Sequence, residues 1–134
     1  MIRVWLASTI PGQSFLPEEH WRSLEPLIRE KLMPIANTFV VEKDGELVAF
    51  MSLLDNLIGG LFTDPPHQGH GHGRTLVEHG RTLHDPLLVE VFQANTSALG
   101  FYRSCGFVDH EEKVDEMTGL PVLWLTVPGL QPDG

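Results

Sequence analysis

One stretch constrains this chain more than any other. In Gln68-Gly69-His70-Gly71-His72-Gly73-Arg74, glycine alternates with polar residues between a strand-like run and a helix-like one. Glycine at every second position lets the backbone turn sharply and lets another group approach it closely. The first N–H groups of the helix that follows have no partner within the helix, and its dipole adds positive potential at the same place. Such a junction suits phosphate. The spacing has no Gly-Lys-Ser/Thr ending, and its glycines do not run as GxGxxG. A turn that only starts a helix has the same composition, so the loop alone leaves both readings open.

Around the loop, apolar periodicity predicts a mixed α/β fold. A short helix is expected over Arg3 to Ser8. A second starts near Pro17, with Glu18 and Glu19 favouring its N-terminal dipole and with Trp21, Leu24, Ile28 and Leu32 on one face. Pro26 either kinks it or opens a second helical piece. Strands Thr38–Val41 and Leu47–Leu53 flank Lys43-Asp44-Gly45-Glu46, and Asp-Gly signals a hairpin. A third strand, Leu57–Thr63, runs to Asp64-Pro65-Pro66. The helix after the loop, carrying Leu76, Val77 and Leu83, ends before Asp85-Pro86. Leu87–Phe92 is a fourth strand. Asn95 is placed to cap a helix through Ser104, with Gly106 as its stop. Strands Phe107–Val114 and Val122–Val127 close the chain.

Composition narrows the classes. The chain has 134 residues, 42% of them hydrophobic, which is enough for one domain with a core. It is read as a single domain over residues 1–134, with 128–134 a flexible tail. Its 9 Lys plus Arg against 18 Asp plus Glu give a net charge of −9, which argues against nucleic acid as partner and favours cationic ones. No apolar run is long enough to span a membrane, and no signal peptide is visible. A single cysteine, Cys105, excludes an internal disulfide and a cysteine-based zinc site, and suits a cytoplasmic location.

The loop also reads as Gln-x-x-Gly-x-Gly. About thirty residues on, Asn95-Thr96-Ser97-Ala98-Leu99-Gly100-Phe101-Tyr102-Arg103-Ser104-Cys105-Gly106-Phe107 forms an Asn-led helix ending in Phe-Tyr and Gly-Phe. In order and separation, this pair resembles the two landmarks of the GNAT superfamily of N-acetyltransferases. The likeness runs from about Val4 to Val127 and is nearest to small bacterial members of the YjaB type. It implies a mostly antiparallel mixed sheet whose central parallel strands splay around acetyl-CoA, with helices on both faces, and transfer of acetyl to a primary amine by direct attack.

The resemblance also implies roles for residues. Leu61, Phe62 and Thr63 would line the pantetheine arm, Leu61 and Thr63 bonding it through their backbone. Gly69, Gly71, Gly73 and Arg74 would hold the pyrophosphate, with Gln68, His70 and His72 completing the loop and Arg103 adding charge. Asn95 would sit at the mouth of the following helix. Tyr102 falls at the family's general-acid position; a phenol can protonate a departing thiolate, their reference pKa values being about 10 and about 8.5. The bland alternative is a core aromatic.

Leu57-Ile58-Gly59-Gly60 lacks the carboxylate that many relatives carry there as general base. Glu90 is the nearest candidate and Asp55 another, and the base stays open. His67, His70 and His72 invite a metal, but side chains from one tight loop diverge and no cysteine lies nearby, so none is expected. Without a base, a catalytically silent acyl-CoA sensor or interaction domain is the alternative. Phe15 and Trp21 border the acceptor side in relatives. Against the family pattern the first strand is missing before the helix, which would leave Thr38–Val41 as an open edge and suggests a homodimer through it.

Overall fold

A computed structural model of the protein describes residues 1–130. Helices α1 (Ile2–Gly12), α2 (Glu18–Ser23) and α3 (Glu25–Leu27) come first, and α3 runs into a π-helical turn, Ile28–Leu32. Strands β1 (Asn37–Lys43), β2 (Glu46–Leu54) and β3 (Leu57–Thr63) follow. Then come α4 (His72–Leu83), β4 (Leu87–Phe92), α5 (Thr96–Ser104), β5 (Val108–Val114) and β6 (Pro121–Val127). The first helix is longer than expected and takes Pro11 into its last turn. Pro26 opens a new helical piece, since proline fits the first turn, where its missing N–H costs nothing.

The six strands lie in the order β1-β2-β3-β4-β6-β5. All neighbours are antiparallel except β3 and β4. Asp44 and Gly45 both take positive φ, 53° and 82°, as a tight hairpin turn between β1 and β2 requires. Strand alternation then sorts side chains onto two faces. Met51, Leu53, Val89, Val91 and Leu125 bury one face against Leu76 and Val77 of α4 and Leu99 and Tyr102 of α5. On the other face, Phe50 packs against Val4 and Trp5 of α1. The helices thus cover both faces.

The first element among the described residues is α1, and β1 is an edge of the sheet. Part of the expected tail is not free. The Gly129 N–H donates to Asp85 Oδ1 at 2.8 Å, Leu130 N–H donates to the Arg81 carbonyl at 2.8 Å, and Arg81 Nε donates to the Pro128 carbonyl at 2.8 Å. These bonds tie residues 128–130 to the end of α4; the rest of the expected tail lies outside the described residues. No helix among the described residues is long and apolar enough to cross a membrane.

Candidate active site

β3 pairs with β2 along its length, but with β4 only at Leu57–Leu88 and Ile58–Val89. The two strands part at a bulge. Ser52 lies opposite Gly60 and Leu53 opposite Ile58, so Gly59 has no counterpart. Beyond it, Glu90 to Phe92 pair only with β6. The Asp64 N–H donates to the Val48 carbonyl at 2.8 Å. Because alternate residues of an antiparallel strand turn their main-chain groups to opposite edges, Phe62 faces β2 as Asp64 does. Leu61 and Thr63 therefore present their N–H and C=O groups to the gap.

The gap opens into a cleft of about 570 Å³. Leu61, Phe62 and Thr63 line one side, and Ser8 and Gly12 of α1 with Gln13 at its end close over it. The glycine-rich loop makes one end, through Gln68, Gly69, Gly71, His72, Gly73 and Arg74, with His67 beside them. Asn95, Ser97, Ala98, Phe101 and Tyr102 of α5 and its cap make the opposite wall. The chain carries 18 Asp plus Glu, yet no carboxylate is among the described residues lining this cleft. An anion entering it meets no carboxylate at contact distance, which lessens locally the repulsion of the acidic surface.

The loop keeps its shape through backbone conformation. Gly69 and Gly71 both sit at φ +82°, and a Cβ at either would meet nothing within 4 Å. The left-handed conformation, not crowding, is what calls for glycine there. Gln68 Nε2 donates to the Thr63 carbonyl at 3.1 Å and ties the loop to the end of β3. Gly71 caps α4, whose first N–H groups open at the cleft end. His72 Nε2 is buried without a partner, and a buried polar atom left so is costly unless a ligand satisfies it. His70 stacks on His72 with ring centres 6.2 Å apart but does not line the cleft. No group of three or more potential metal ligands is assembled among the described residues.

On α5, the Asn95 side-chain oxygen accepts from the Ala98 N–H at 3.1 Å, so its NH₂ is the donor left for a ligand. Tyr102 is only 7% exposed and lies edge-on to Phe107 at 5.3 Å. Burial, and secondarily the Cys105 thiol, pushes its phenol well above the ordinary value. It therefore stays protonated, as a proton donor must. Cys105 is itself buried in the core, its thiol raised first by burial, which fits packing and not nucleophilic work.

Several expected residues are placed otherwise. Arg103 points away from the cleft and holds Asp109 with two bonds to Oδ1 and one to Oδ2 at 3.0–3.2 Å. One residue along a helix is a turn of about 100°, so the neighbour of a buried Tyr102 faces outward. Arg74 lines the cleft but donates to the Ser104 carbonyl at 3.3 Å and to its Oγ at 3.1 Å. Glu90 is exposed opposite Trp124 of β6 and does not line the cleft. Asp55 sits in the β2–β3 turn, at the end of β3 far from the loop.

Ser8, Gly12, Gln13, Ser97, Ala98 and Phe101 join the site without having been expected. Ala98 lies four residues before Tyr102, a spacing that puts both on one helix face. No local signal marks the α1 residues, because their place depends on how α1 crosses the sheet. Phe15 packs edge-on against Trp21 and Phe92, and Trp21 Nε1 donates to the Gln13 carbonyl at 3.1 Å, which fixes the exit of α1 over the end of β4.

Comparison with known proteins agrees with this geometry. A family model described as an acetyltransferase (GNAT) domain matches residues 34–109. Peptidyl-lysine N-acetyltransferase YiaC of Escherichia coli (strain K12) is 30% identical over 132 residues, covering 98% of this chain and 90% of that protein. Peptidyl-lysine N-acetyltransferase YjaB of Salmonella typhimurium (strain LT2) is 35% identical over 130 residues, covering 96% and 90%. The solution structure of apo-form YjaB from Escherichia coli superposes with a TM-score of 0.83 at 33% identity, over 97% of this chain and 90% of that one.

Proposed function

Since the chain belongs to the GNAT family of acetyltransferases, we propose that it transfers acetyl from acetyl-CoA to a primary amine by direct attack, with protein lysine side chains as the acceptor class. The carrying observation is the gap between β3 and β4: main-chain groups of Leu61 and Thr63 that no neighbouring strand takes up lead from a carboxylate-free glycine loop towards the wall that holds Tyr102. The names of the YiaC and YjaB relatives favour lysine among amines.

Acetyl-CoA supplies an activated thioester. The loop N–H groups at the start of α4, with the His72 imidazole and the Asn95 NH₂, bind its phosphates. The Leu61 N–H, facing the gap, donates to the acyl oxygen and stabilises the charge that develops there. Tyr102 gives its proton to the departing sulfur. With no carboxylate lining the cleft among the described residues, the proton of the attacking amine leaves to water, and Glu90 has no place in that step.

The missing base also favours a second reading, an acyl-CoA sensor that binds without turnover. Release of free thiol from acetyl-CoA, followed against a panel of lysine peptides and small amines, separates the two. Acceptor-dependent release supports the enzyme; tight binding without release on any amine supports the sensor. The free thiol of Cys105 fits a cytoplasmic setting. The outer edge of β1, with Val40 43% exposed, is suited to pairing with a second copy of the chain.

A further inference from the structure

A separate apolar cavity of about 110 Å³ lies between the face of β2–β3 and the helices α1 and Ile28–Leu32. Its walls include Trp5, Ile28, Ala36 and Phe50, and its floor is Gly59 and Gly60, the bulge at which β3 leaves β4. Ser52 brings the only hydroxyl among the described lining residues, and that hydroxyl is 3.1 Å from Thr38 Oγ1. Phe62 lines both this cavity and the large cleft. Its ring lies over Gly60, where a Cβ would come within 2.8 Å of it. The partition between cleft and cavity is thus one aromatic side chain beside the apex of the gap.

We propose that this cavity receives the apolar tail of acyl groups longer than acetyl, so that the protein binds and transfers propionyl and butyryl groups. The inference rests on the acyl-CoA reading of the cleft. An arm that enters at the glycine loop and runs along Thr63 and Leu61 comes to Phe62, which lines both the cleft and the cavity, with Gly59 and Gly60 of the cavity floor next along the strand. Apolar cavities of about 150 Å³ take up benzene, so this one holds the extra carbons of butyryl. Each CH₂ moved there from water is worth about fourfold in affinity. The transfer keeps its balance whatever the chain length: the amine nitrogen forms a bond to the acyl carbon and loses a proton, the C–S bond breaks, and the sulfur keeps the electron pair and takes up a proton.

The test is calorimetric binding of acetyl-CoA and butyryl-CoA to the whole chain and to Ala36→Leu and Ile28→Phe, which fill the cavity from walls remote from the cleft. The wild type should bind butyryl-CoA at least as tightly as acetyl-CoA. Each variant should weaken butyryl-CoA about tenfold or more while acetyl-CoA stays within about twofold, which also shows that the variant is folded. Rejection of butyryl-CoA by the wild type, or an unchanged ratio in both variants, overturns the inference and leaves the acetyl-CoA reading standing. Failure of the wild type to bind either thioester overturns both.

Discussion

A Cβ built on Gly73 would stand 3.0 Å from Cζ of Phe101. The first turn of α4 and the middle of α5 approach this closely only because residue 73 has no side chain, and the contact sets the width of the cleft at its glycine-loop end. Gly73→Ala pushes Phe101 by a few tenths of an ångström into a wall that also carries Tyr102. Part of the packing cost is offset by the better helix propensity of alanine. The expected result is a small change in Tm and an acetyl-CoA Kd raised about three- to tenfold, measured by calorimetry.

Tyr102→Phe removes the proposed proton donor and keeps the ring against Phe107. Thiol-release assays should show kcat lowered about 10²-fold or more, with the Kd for acetyl-CoA within about threefold. The pH profile carries a second signature. A phenol held above its ordinary value by burial remains the acid form through the pH range in which a free phenol begins to ionise. The wild-type rate should therefore rise with pH as the amine deprotonates and show no fall near pH ~10; a fall there would show a phenol that titrates normally.

His72 Nε2 is buried with no partner among the described residues. Replacing the ring by an apolar one of similar shape, His72→Phe, removes that unsatisfied atom. The unliganded protein should gain Tm, while acetyl-CoA should bind about tenfold or more weakly because a phosphate partner is gone. Thermal shift with and without acetyl-CoA reads both effects in one experiment, and they should have opposite signs.

Arg103 and Asp109 form an exposed pair, each side chain about half accessible. Such pairs contribute little to stability, and this one does not touch the cleft. Arg103→Gln should leave the acetyl-CoA Kd within about twofold and Tm nearly unchanged. Arg74→Gln removes a cation from the cleft and the bonds to Ser104, and should raise the Kd several-fold; titration at two salt concentrations would show that the loss is electrostatic.

Light scattering tests pairing through β1. A dimer that dissociates with Val40→Lys at the edge, without loss of acetyl-CoA binding, supports the proposed contact. A wild-type monomer at high concentration excludes it.

Much of this was legible in the chain itself, wherever the cause is local. Strand and helix periods follow from the order of apolar residues. The Asp44-Gly45 turn, the Asn95 cap and the stop at Gly106, φ +98°, follow from what those side chains allow their own backbone to do. The alternating glycines fixed the left-handed turns at Gly69 and Gly71 before α4 for the same reason. Tertiary structure alone decided what depends on residues far apart. It turned Glu90 to the exposed side opposite Trp124, because the strand's other face is taken by Val89 and Val91. It bound Arg103 to Asp109 and Arg74 to Ser104, since each cation bonds the nearest acceptor that folding brings within reach. It laid α1 across the cleft and enclosed a second cavity behind Phe62. Contacts of this kind form between segments with no common local pattern, so only the packed chain defines them.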